Sequence, residues 1–189
     1  MSRIPLPTPE TMTPAQRAVH DRVVAGPRGR LHGPLRAALL NPDLAERWQA
    51  LGALLRYDTT LDRRESELAI LVTGRARRSP FEWHVHREEA ERAGVPAAAI
   101  DALLAQRTPE GLSPREAAVV AYAAELNRDD SVGEATYARA RALLGDRGVV
   151  ELTALVGYYT MVAMTLNAHE IPLPEGAEPA FPRPQDAPA

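Results

Sequence analysis

The chain has 189 residues, a formal net charge of −3 and no cysteine. A chain of that length is most simply one domain, able to bury roughly two-thirds of its unfolded surface. The mild acidity gives no reason to expect nucleic acid or a membrane as partner, and without thiols there is no disulfide, thiolate nucleophile or Cys-based metal site.

Alanine, leucine, arginine and glutamate dominate and aromatics make up only 5%, which favours an all-α fold. Residues 1–12 carry three prolines and read as an extended arm lying on the body. They lack the apolar run of a signal peptide, so a cytoplasmic location is expected. Residues 13–170 read as a single all-helical domain, and residues 171–189 as a proline-rich tail.

Thr13-Pro14-Ala15-Gln16 is a helix start with a cap, a proline at the first helical position and a glutamine at the third. That helix runs to about Ala25. Residues 26–33 form a glycine- and arginine-rich loop holding Arg28, Arg30 and His32. The loop fits neither a P-loop nor a dinucleotide fingerprint; Arg30 and His32 are candidates to face a ligand.

A short helix is expected over residues 34–40, then a longer one opened by Asn41-Pro42 and running to about Arg56. Its apolar stripe would be Leu44, Trp48, Leu51 and Leu55. Asp62-Arg63-Arg64-Glu65 repeats the capping pattern and starts a helix to about Arg77. There Glu67 shares a face with Ile70, Leu71 and Gly74, which predicts a partly buried carboxylate beside a close helix contact. Burial raises a carboxyl pKa unless a partner stabilises the charge; Arg64 and Arg75 are the available partners if Glu67 is simply a buried ion pair.

Ser79-Pro80-Phe81-Glu82-Trp83-His84-Val85-His86 is the run where chemistry outweighs packing. If Ser79 caps the helix, Glu82 and His86 lie one turn apart on one face and His84 points elsewhere. Ser-x-x-Glu is also a capping box, which would occupy Glu82 structurally. Residues 87–92 are a charged, solvated face, and Gly94 stops the helix. Further helices are expected from Pro96 to about Ala105, from Ser113-Pro114 to about Asn127, and from Asp130-Ser131 to about Gly145. From Leu152 to Ala168 there is no charge. This run is close to membrane-spanning length, but its threonines, Gly157 and Asn167 favour a central buried helix, shared in part with a neighbouring subunit.

Residues 61–71, followed by Phe81-Glu82-Trp83 and His86, resemble the carboxymuconolactone decarboxylase-like family within the alkylhydroperoxidase D-like superfamily. The likeness continues through Ala90, Ala93-Gly94-Val95, Gly157-Tyr158-Tyr159-Thr160-Met161 and Asn167. The peroxidase branch carries Cys-x-x-Cys-x-x-x-His after an upstream Glu; on this chain those positions fall on Ser79, Glu82, His86 and Glu67. The resemblance is therefore to the cysteine-free branch with Glu-Trp-x-x-His, without thiol peroxidase activity. It implies an all-α bundle and a homo-oligomer, as dimer, trimer or hexamer.

Two carboxylates and an imidazole suit cofactor-independent proton transfer on a small acid or lactone: decarboxylation, isomerisation or lactone opening. Glu67, Glu82 and His86 would be catalytic. Trp83 and Tyr158 would wall the substrate, and Arg30, His32 or Arg75 would hold its carboxylate. Two other readings stand beside this one: a divalent metal on Glu67, Glu82 and His86, and a helical oligomer that binds a ligand or protein without turnover.

Overall fold

Helix starts in this chain are set by side-chain caps. Thr13, Asp62 and Ser113 each close a reciprocal capping box with the third helical residue, and Asn41 accepts from the Leu44 N–H. The structure, a computed structural model, describes residues 2–26 and 29–184. Among them it contains eight helices and no strand: α1 Pro14–Ala25, α2 Pro34–Ala38, α3 Pro42–Tyr57, α4 Arg63–Ala76, α5 Pro80–Arg92, α6 Ala97–Leu104, α7 Pro114–Asp129 and α8 Glu134–Ala168. Arg28 and Pro188 lie outside the described residues.

The centre of the fold is α4. It is buried without interruption from Glu65 to Gly74 and packs against α5, α7 and α8. The sequence points instead to the charge-free run 152–168 as the central helix. That run buries one face only: Leu152, Leu155, Val156, Tyr159, Val162, Ala163 and Leu166 are inside, while Met161 and Met164 are exposed. α8 is long and apolar enough to cross a membrane, and half of that apolar window is buried in the bundle.

Two expected boundaries differ. Asp130 does not begin a helix; it ends α7 in the left-handed conformation at φ 54°, and α8 starts after Gly133. The expected stop near Gly145 is a break inside α8, where Gly145 has φ 74° and ψ 173°, a region open in practice to glycine alone. On α3 the stripe is narrower than its spacing suggests. Trp48 and Leu55 are buried, but Leu44 and Leu51 are each 47% exposed.

The arm and tail lie on the same chain. Arg3 donates its N–H to the His169 carbonyl at 2.9 Å and pairs with Glu170 at 2.6 Å. Ile171 and Phe181 are buried, with the Phe181 ring edge-on to Trp83 at 5.9 Å.

Candidate active site

α4 and α5 run side by side and bring Glu67 against His86. The Glu67 Oε2 atom lies 2.6 Å from His86 Nδ1. Glu67 is fully buried and His86 nearly so. The other carboxylate oxygen, Oε1, lies 3.3 Å from Arg63 and 3.9 Å from Arg56 without forming a hydrogen bond. Burial alone would raise the Glu67 carboxyl, but the imidazole and the two guanidiniums overcome it and hold the group below its ordinary value. Burial lowers the His86 imidazole, and this outweighs the pull of Glu67. The consistent state is a carboxylate accepting Nδ1–H from a neutral imidazole. That fixes the tautomer with Nε2 as the basic atom.

Glu82 behaves differently from its expected pairing with His86. It is 2% exposed, neither carboxylate oxygen has a hydrogen-bond partner, and burial alone drives its pKa well above the ordinary carboxyl value. The capping box is not formed either: Ser79 makes no side-chain cap bond, and its hydroxyl is buried and unpaired. Room for the acid comes from α4. A β-carbon on Gly74 would stand 3.1 Å from Glu82 Oε1 and 3.4 Å from its Cγ. Gly74 thus admits a side chain of α5 to the face of α4 that carries Glu67, about two turns away.

Both groups open on a cavity of about 280 Å³ lined by Glu82 and His86, with Leu35, Phe81, Val85, Tyr158, Tyr159, Val162 and Leu166 as apolar walls and Arg30, His32, Arg56, Arg63 and Glu89 as polar ones. The Tyr159 ring stands edge-on to His86 at 4.8 Å, and Tyr158 donates its hydroxyl to the Trp48 carbonyl at 3.5 Å.

Arg30, His32 and Tyr158 therefore line the same space as Glu82 and His86. Trp83 and Arg75 do not. Trp83 lies on the inner side of α5, 1% exposed, packed on Phe181. Arg75 donates to the Leu104 carbonyl at 2.8 Å and stacks over Phe181 at 4.7 Å, outside the cavity. Nor does Arg64 reach Glu67; it pairs with Glu116 at 2.7 Å. His84 faces away toward Glu88, as its position on the helix requires. Among the described residues no three His, Asp or Glu side chains are grouped as ligands for a metal ion.

Sequence reasoning missed Arg56, Arg63 and Glu89. Arg63 bridges Glu67 and Glu89, at 3.3 and 2.8 Å, and Arg56 lies within 4.0 Å of both. Arg63 precedes Glu67 by four residues, a spacing that signals a helical ion pair. No local signal marks Arg56, which arrives from the end of α3.

Similarity to known proteins follows the geometry. The chain superposes on an uncharacterized peroxidase-related protein with an alkylhydroperoxidase AhpD core from Ralstonia eutropha JMP134, with TM-score 0.77 and 17% identity over 92% of this chain and 93% of that one. It matches an uncharacterized peroxidase-related protein from Silicibacter sp. TM1040 equally well, with TM-score 0.77 and 15% identity over 92% of each chain. It also matches a variant of the debrominase Bmp8 in complex with 2,3,4-tribromopyrrole, with TM-score 0.76 and 15% identity over 93% and 95%. At these identities the likeness is one of fold: an all-helical bundle similar to the AhpD core. No curated protein sequence matches the chain. Residues 42–125, spanning α3 to the middle of α7, match the model of the Carboxymuconolactone decarboxylase family. Over that segment, a little under half of its length, the chain is similar to this family, and it carries no cysteine.

Proposed function

We propose that this protein is a cofactor-independent acid/base catalyst acting on a small organic acid or lactone by decarboxylation, isomerisation or lactone opening. His86 Nε2 takes the proton, Glu67 orients and polarises the imidazole, and Glu82, kept protonated by burial, gives a proton to the developing anion or leaving group. The observation that carries this reading is the pairing of a tautomer-fixed imidazole with an unpartnered buried carboxylic acid on one cavity. Two neutral groups poised as base and acid at neutral pH are what proton shuttling requires. Thiol peroxidase chemistry has no place here, since the chain lacks cysteine.

A binding protein without turnover would be better served by solid packing at this point, whereas Glu82 is held buried and unpaired at a cost. We assign the protein to the cytoplasm and to a homo-oligomer.

The test is a screen of small lactones and keto, unsaturated and hydroxy acids for decarboxylation, isomerisation and ring opening, with His86→Gln as control. Turnover should fall by about 10²- to 10⁴-fold in the variant while its circular dichroism is unchanged. Equal activity in the two proteins, or none in either, rejects the proposal.

A further inference from the structure

We propose that Arg56, seconded by Arg63, is the seat of a substrate carboxylate, so that the molecules this cavity accepts are monoanionic acids. This rests on the reading of His86 and Glu82 as the reacting pair, for it names the group that binds rather than the group that reacts.

The Arg56 side chain is only 11% exposed, yet its nearest carboxylate oxygens are 3.9 and 4.0 Å away, outside hydrogen-bond range. Its Nε is buried without a partner, and so is Nη1 of Arg63. A guanidinium has five N–H donors in one plane, and leaving them buried and unmade is expensive. Both arginines nevertheless face the cavity. The aromatic ring of Tyr57 supports the two together, with the Arg56 Cζ 5.1 Å and the Arg63 Cζ 5.5 Å from its centroid. Two forks resting on one ring form a clamp of the kind that suits a planar carboxylate.

The charges around the cavity agree. Arg30, Arg56 and Arg63 line it, against Glu89 on the wall and Glu67 behind His86. Glu82 is held uncharged by burial. One positive charge is left over, and a single carboxylate balances it. A neutral ligand leaves it unmatched, and a dianion overshoots.

The experiment is a calorimetric titration of the full chain with benzoate and with its neutral isostere benzamide. Benzoate should bind at least about tenfold more tightly. Arg56→Gln should abolish that preference, Arg56→Lys should restore only part of it because the charge returns without the fork, and Glu89→Gln should tighten benzoate by removing its competitor. Equal binding of the two ligands by the native protein, no binding of either, or an unchanged preference in Arg56→Gln overturns the proposal. If Arg56→Gln does not fold, the opposite shifts expected of Arg63→Gln and Glu89→Gln decide. Binding is read as heat, without turnover, so the measurement does not depend on His86 or Glu82 reacting. Failure of the clamp and failure of the acid/base pair are therefore told apart.

Discussion

Glu82 and His86 are driven to neutrality by the same burial, one from below and one from above. That makes their joint protonation state a property of the packing around α5 and predicts its pH dependence. The base is lost when His86 protonates, below the ordinary imidazole range, and the acid is lost when Glu82 ionises, well above the ordinary carboxyl range. Turnover should describe a bell whose upper limb disappears in Glu82→Gln. Stability carries the same signature. A carboxyl whose folded value is raised binds more protons folded than unfolded, so its contribution is whole below the ordinary carboxyl range and drains away as pH climbs to the raised value. Glu67 and His86 are both depressed, and their contributions go as pH falls through their lowered values. Replacing Glu82 by glutamine should therefore raise Tm relative to the native protein by an amount that widens as pH climbs above the ordinary carboxyl range. A constant difference in scanning calorimetry would show that Glu82 is ionised throughout and end its role as acid. Residue types and spacing were enough to nominate Glu67, Glu82 and His86. They could not decide which carboxylate meets the imidazole, because a one-turn pair on α5 and a cross-helix pair with α4 look alike in sequence. Gly74 settles it by admitting Glu82 to its own pocket.

At the scale of the helix, starts were legible because caps are local chemistry. Thr13, Asn41, Asp62 and Ser113 each do what their side chains permit within three residues. Ser79 has the same pattern and makes no such bond, since its hydroxyl and Glu82 are both taken into the interior. Long-range placement was the illegible part: Arg56 reaches Glu67 and Glu89 only because α3 packs back against α4. The break in α8 is a further local feature with a global consequence. It lets the charged first half, which leans on α7, turn into the apolar second half that closes the cavity with Tyr158, Tyr159 and Leu166. At φ 74° and ψ 173°, Gly145 is open to solvent, with nothing within 4 Å of an added β-carbon. Any cost of Gly145→Ala is then backbone strain rather than collision. Urea unfolding should show a loss of about 1–3 kcal/mol, with the cavity chemistry retained. No loss would mean the helix runs through the break without strain.

The whole molecule leaves one surface unexplained. Along the second half of α8, Val150, Ala154, Gly157, Met161, Met164 and Ala168 are all exposed, and they recur at alternating intervals of four and three. That is the spacing by which helices pair along a seam. It carries no charge, and a β-carbon added at Gly157 would meet only open space, so a second backbone can come close at its middle. Leu44, Leu51 and Leu54 of α3, with Leu40 just before it, are each 47–49% accessible, Leu44 and Leu51 being two whose spacing suggests burial. A copy of the same chain is the simplest occupant, because a two-fold axis through Gly157 sets this face against itself and matches apolar to apolar without any further recognition. The buried face of the same segment contributes Tyr158, Tyr159 and Val162 to the cavity, so pairing would also stiffen one of its walls. Sedimentation should place the native protein well above its 20.6 kDa chain mass. Met161→Glu should shift it toward the monomer in a concentration-dependent way and lower Tm with it, since self-association adds to stability by mass action. A native protein that sediments as a monomer, or a Met161→Glu variant that assembles as before, would leave this seam for some other partner.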